Sequence, residues 1–180
     1  MQIHYTSTGK PEQCKISVGF KYVEGKVQKR YRFLIIRNTK FTIPPGAPHH
    51  EVSNSKTLDR DAHGIGLFAH MHLRGKDLSF LAHYPDGKDE SLLIIPNYSF
   101  DWQIGYLWKD QRHLFPAGTR IEAIAHYDNS AFNPFNPDPS ASVRNGPQTY
   151  HEMMYAFFFY TYADERLNLT INPKTGQAVK

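Results

Sequence analysis

The chain has 180 residues, a net charge of +4 and 21% charged residues, which suits one globular domain of ordinary size, with room for part of a second. The apolar share of 40% and the charged share are those of a globular protein, and no segment looks disordered throughout. Aromatic residues stand at 14% and Gly and Pro at 12 each, a mixture that favours strands and turns over helices.

The densest basic cluster, Lys26 to Arg32, alternates with apolar residues as a solvated strand face does, which argues against a nucleic-acid partner. No run is long enough to cross a membrane, and Met1-Gln2-Ile3-His4 is not the opening of a signal peptide. Cys14 is alone, so no intrachain disulfide is expected. That fits a reduced compartment, or an exported bacterial protein that does without disulfides.

In chain order, residues 2–7 and 16–23 read as two strands joined by a turn at Gly9-Lys10-Pro11. A third begins near Tyr31, where Phe33, Ile35 and Arg37 alternate with Arg32, Leu34 and Ile36. Phe41-Thr42-Ile43-Pro44-Pro45-Gly46 ends in a stop, because paired prolines cannot donate to a sheet and Gly46 permits a turn. A polar loop is expected through Arg60. Residues 64–73 then alternate, with Ile65, Leu67, Ala69, Met71 and Leu73 on one side and Phe68, His70 and His72 on the other. Leu78 to Tyr84 and Ser91 to Ile95 predict a hairpin about Pro85-Asp86-Gly87-Lys88. Pro116-Ala117-Gly118-Thr119 turns the chain into a strand from Arg120 to Tyr127. A long loop rich in Asn and Pro, Asp128 to Pro147, precedes a strand from Tyr150 to Tyr162, apolar enough to predict burial on both faces. No stretch keeps a 3.6-residue period over three turns and no repeat is present, so the fold class is all-β, a sandwich.

The chemistry starts from His70-Met71-His72. On a strand, residues i and i+2 project from one face, so two imidazoles can grip one metal ion, and neutral imidazole suits copper and zinc. A pair of hydrogen-bonded surface histidines has the same spacing, so the tripeptide needs a third ligand. His49, His50, His63, His83, His113, His126, His151, Met153 and Met154 are all candidates, and spacing does not choose among them. His151-Glu152-Met153-Met154-Tyr155 opens like a zinc-protease helix, but Tyr155 stands where the second histidine is required. His49-His50 sits in a loop and reads as surface. By composition, Met153 reads as a core residue sharing a face with Tyr155, Phe157 and Phe159.

Ile43-Pro44-Pro45-Gly46, then His70-Met71-His72-Leu73-Arg74-Gly75-Lys76, then Glu152-Met153, in that order, resemble the C-terminal half of the copper type II, ascorbate-dependent monooxygenases. Peptidylglycine α-hydroxylating monooxygenase and dopamine β-monooxygenase belong to that family. Asp128-Asn129-Ser130 and Asn136-Pro137-Asp138-Pro139 resemble homologous domains in large multidomain bacterial proteins. The resemblance implies a jelly-roll β-sandwich of two antiparallel sheets that binds copper through His70, His72 and Met153. It also implies hydroxylation of a C–H bond, with ascorbate or another reductant as electron donor and a periplasmic or extracytoplasmic setting. Gln2-Ile3-His4-Tyr5 resembles the end of the family's N-terminal half, where such a histidine holds a second, electron-delivering copper. Residues 1–24 are then expected to be remnant strands of a preceding domain, and residues 25–180 the copper-binding domain. The partner would be an upstream domain of the same parent protein.

Departures narrow the substrate. The peptide-hydroxylating members place an arginine and a tyrosine where this chain has Phe68 and Phe157, so an apolar or aromatic small molecule fits better than a peptide carboxylate. His126 stands where the family has a disulfide cysteine, which makes it a candidate additional ligand, a group supporting the ligands, or a core histidine. Two readings compete with the enzyme. One is a non-catalytic copper-binding module; the other is a carbohydrate- or protein-binding sandwich using Trp102, Trp108 and Tyr106.

Overall fold

The computed structural model describes Ile3, Tyr5, residues 7–110 and residues 113–179. Among them the chain forms strands and no helix: β1 (Lys26–Val27), β2 (Arg32–Asn38), β3 (Thr42–Ile43), β4 (His50–Thr57), β5 (Ala62–His70), β6 (Gly75–His83), β7 (Asp89–Ile95), β8 (Gly105–Leu107), β9 (Leu114–Phe115), β10 (Arg120–Tyr127), β11 (Val143–Arg144), β12 (Met154–Tyr162), β13 (Leu169–Ile171) and β14 (Ala178–Val179).

Gln28–Leu167 forms one compact unit, and the described residues on either side of it form another. The smaller unit is a three-stranded sheet in the order β1-β13-β14. The division expected after residue 24 differs from this one: Lys26–Val27 pair with Leu169–Thr170, and residues 168–179 fall in the same unit as the N-terminal segment. The two strands expected within residues 2–7 and 16–23 are corrected. No described residue before Lys26 is in a strand, and Ile16, Val18 and Phe20 are exposed.

The larger unit is a sandwich of two antiparallel sheets, β2-β12-β5-β8 and β4-β10-β6-β7, with β9 also pairing β5 and a short β3–β11 ribbon beside them. Successive strands alternate between the sheets, apart from the β6–β7 hairpin and β8 followed by β9. That order is an eight-strand jelly roll. Alternation in the sequence drives it. Ile121, Ala123, Ala125 and Tyr127 of β10 point inward, as do Met154, Ala156, Phe158 and Tyr160 of β12. Phe158 packs edge-on to Phe115, with ring centres 5.0 Å apart, and against Trp108 at 6.1 Å.

Three strand readings need correction. The segment expected to be a polar loop contains β4, an edge strand whose sequence His-Glu-Val-Ser-Asn-Ser-Lys-Thr buries Val52 alone. An edge strand carrying mostly polar residues is hard to tell from a loop by hydropathy. In β5 a bulge between residues 64 and 66 shifts the register against β12, so Ile65 is half-buried rather than in the core. A Cβ on the neighbouring Gly66 would stand 2.5 Å from the Tyr106 carbonyl oxygen, so the close β5–β8 pairing requires glycine there. Finally, β12 buries one face, not both, and Phe157 and Phe159 on the other face are half-buried.

Candidate metal centre

β5 ends at His70, so His72 lies beyond the strand, where the chain turns through Leu73 and Arg74 into β6. The turn is tied by Gly75 N–H donating to the His72 carbonyl, at 3.2 Å. Tyr98 fixes the intervening residue: its hydroxyl accepts from the Met71 N–H at 2.9 Å and donates to the Met71 carbonyl at 2.7 Å. Met71 fills the core and the two imidazoles stand together, ring centres 5.2 Å apart and nearly perpendicular.

The hydrogen bonds of these rings settle which nitrogen is free. Gln103 donates its amide to the Phe100 carbonyl at 2.7 Å, which leaves its oxygen to face His70 Nδ1 at 2.6 Å. An oxygen there requires a proton on Nδ1. His72 Nδ1 lies 3.1 Å from the His151 carbonyl, an acceptor only, so it carries a proton too. In a neutral ring this leaves the lone pair on Nε2, the arrangement in which an outer partner holds a metal-binding histidine. Burial and the nearby His70 push the His72 pKa below its ordinary value while the His151 carbonyl pulls it up, so the ring is neutral at pH 7. If the pair holds copper as the resemblance implies, replacing Gln103 with Leu should lower copper affinity about ten- to a hundredfold by freeing the His70 tautomer. Stability should change by no more than about 1 kcal/mol, since the amide is half-buried. Competition with a Cu(I) chelator and a denaturant titration measure the two effects.

Glu152 binds the elements together. Its carboxylate is fully buried, with Oε1 accepting from Arg74 N–H at 2.6 Å and Oε2 accepting from His72 N–H at 2.8 Å and Met153 N–H at 3.3 Å. One carboxylate oxygen thus positions the backbone of both His72 and Met153. Arg74, 1% exposed, donates Nε to the Asn129 side-chain oxygen at 2.7 Å and Nη1 to the Tyr150 carbonyl at 2.9 Å. Asn129 in turn donates to the carbonyls of Pro44 and Ala141. The Pro-Pro turn, the long loop and the histidine turn are thereby one hydrogen-bonded assembly.

The adjacent methionines separate cleanly. Met154 is fully buried, while Met153 is half-buried and two residues before Tyr155, which pairs directly with His70. Met153 lies just before β12, where its N–H shares Glu152 Oε2 with the His72 N–H. Phe68 and Phe157, also cross-strand partners, form a tilted ring pair 5.7 Å apart on the outer face. Phe157 continues to Phe33 at 6.2 Å and Phe159 at 6.3 Å. Phe100 meets the His72 ring edge-on at 6.1 Å and also lines a cavity of about 280 Å³ with Leu73, Tyr98, Phe132, Asn133 and Phe135.

The other candidates go elsewhere. His126 is corrected as a ligand of this centre. β10 and β12 lie in different sheets, and the ring partners of His126 are Asp77, Glu51 and His49, none shared with His70 or His72. His83 pairs with Asp89 and Glu122, and His113 with Glu90. His151 contributes its carbonyl, while its Nδ1 is buried without a hydrogen-bond partner among the described residues. His4 lies outside the described residues. Trp108 and Tyr106 pack against the core, so of the supposed aromatic platform Trp102 alone is exposed, at 69%. Gln103 and Tyr98 were not legible beforehand: each sits in the segment between β7 and β8 with no motif around it.

No family model matches the chain, and no curated protein matches it. Among solved structures it is similar to a chain of infectious bursal disease virus, Gt strain, at 9% identity and a TM-score of 0.30, over 96% of this chain and 51% of that one. The chain therefore spans about half the length of that viral chain.

Proposed function

We propose that His70, His72 and Met153 hold one copper ion, and that the domain is a copper-dependent monooxygenase unit hydroxylating a C–H bond of an apolar or aromatic small molecule. The observation that carries this reading is the pair of adjacent imidazoles, each with Nδ1 committed to an oxygen, which leaves Nε2 of each ring as the nitrogen available to a metal. The residues fit the metal: two nitrogen donors and one thioether leave a position open, and soft sulfur favours Cu(I) over hard cations. Bound copper would supply one-electron chemistry and the activation of dioxygen, with ascorbate or another reductant as electron donor. The chain's own residues do the rest. Glu152 fixes the backbone at His72 and Met153, Gln103 and the His151 carbonyl orient the rings, and Phe68 with Phe157 offers substrate an uncharged face. An upstream electron-delivering domain and an extracytoplasmic setting belong to the same proposal.

The test is Cu(I) affinity in the wild type, His72→Ala and Met153→Ile. Each variant should bind more than about a hundredfold more weakly, beyond the loss typical of an outer partner. Equal affinity in all three removes the site. Ascorbate-driven oxygen consumption with an apolar aromatic substrate then separates catalysis from copper handling.

A further inference from the structure

On the opposite sheet, three side chains from three adjacent strands and a fourth from just ahead of β4 meet at one place. Glu51 of β4, His126 of β10 and Asp77 of β6 are direct cross-strand partners, so their side chains share the outer face. His49, just ahead of β4, lays its ring flat on that of His126, centres 4.0 Å apart and planes 24° apart. The stacking brings both rings to one carboxylate. His126 Nδ1 is 2.5 Å from Asp77 Oδ1, and His49 Nε2 is 3.8 Å from Asp77 Oδ2. One donor atom from each of His49, Asp77 and His126 lies within 4.8 Å of the others. His126 Nε2 faces Glu51 Oε2 at 3.6 Å.

We propose that His49, Asp77 and His126 form a second metal site, which takes a divalent cation of the zinc type, separate from His70 and His72. Two imidazoles and a carboxylate are a ligand set for zinc, and three protein ligands leave room for water. Packing alone does not account for the arrangement. Side chains on this sheet face are half-buried or exposed, yet donors from β6, β10 and the segment ahead of β4 lie together, and two rings are stacked so that a nitrogen of each approaches the same carboxylate. The chain also holds the remaining partner. Without metal, His126 donates its Nδ1 proton to Asp77. Coordination at Nδ1 moves that proton to Nε2, where Glu51 accepts it, so the ring changes tautomer with no net gain or loss of a proton. Glu51 then plays the part of the carboxylate that orients a ligating histidine. Lys76 secures the approach of His49 by donating its ammonium to the Pro48 carbonyl at 3.1 Å.

The experiment is a Zn²⁺ titration of the wild type followed by long-range ¹H–¹⁵N correlation of the histidine rings, repeated with Asp77→Asn and His49→Gln. These residues are at the surface, and a metal-free thermal melt checks that both variants fold. His126 should change from the Nδ1–H to the Nε2–H form as zinc is added, and each substitution should weaken binding at least about tenfold. The copper reading fails or survives separately, because a His70→Ala variant should leave the change at His126 intact. A His126 ring unaltered by zinc overturns the proposal. So does wild-type affinity in both Asp77→Asn and His49→Gln, or loss of the change in His70→Ala.

Discussion

Replacing Glu152 with Gln should cost about 3 kcal/mol or more of unfolding free energy and weaken copper binding about ten- to a hundredfold. The carboxylate receives three backbone N–H groups and feels the charge of the Arg74 guanidinium. An amide in its place turns an NH₂ group toward N–H groups that already donate, so one or two buried donors lose their partner. The substitution also removes the larger of the two negative charges, Glu152 and Asp138, that favour the buried Arg74 guanidinium. Burial outweighs the N–H donors and Arg74, which pull the other way, and the Glu152 carboxyl is pushed up to about 7. The two consequences are separable. Denaturant titration of the metal-free protein reads the loss of the buried network. Cu(I) competition under native conditions reads the displacement of His72 and Met153. Unchanged stability means that the carboxylate is not the clasp between the turn and β12. Lost stability with unchanged copper affinity means that the clasp does not position the ligands.

The residues that carry this clasp were only partly visible in the sequence. Parity on β5 placed His70 on the side opposite Leu67 and Ala69, and β10 read correctly because its alternation runs without a break from Ile121 to Tyr127. The same reasoning could not foresee the bulge at Ile65, since an extra residue in one strand is set by its partner. Nor could it foresee that His72 leaves the strand and is held by a carbonyl and a carboxylate from residues 151 and 152. Glu152 stood out as the acidic residue before a methionine, but its burial depends on the folding of the long Asn-rich loop around Asn129. Gln103 carries no local signal at all, because orienting one imidazole takes one acceptor at the right distance and nothing in the neighbouring residues. Most instructive is His126. On an alternating strand its parity already opposed it to Tyr127 and the core, but which sheet β10 joins is a property of topology, not of the strand's own sequence.

Phe158→Ala should lower stability by about 3–5 kcal/mol, and Phe157→Ala by about 1 kcal/mol, although the two residues are neighbours of the same type on one strand. The difference follows from the faces of β12. Phe158 is fully buried and loses contacts with Phe115, Trp108 and Tyr160, leaving a cavity between two sheets that cannot close on it. Phe157 lies on the outer face against Phe68, Phe33 and Phe159, where water fills the space left behind. For a domain of this size the larger loss corresponds to a fall in Tm of roughly 10 °C. The near-UV dichroism of Trp108 should weaken with Phe158→Ala and hold with Phe157→Ala. Function should divide the other way. Phe157 shares its face with His70 and pairs with Phe68, so its removal should weaken binding of an apolar substrate while Cu(I) affinity holds. Equal destabilisation by the two substitutions would return β12 to a strand buried on both sides, and with it would go the open aromatic face that the proposed substrate requires.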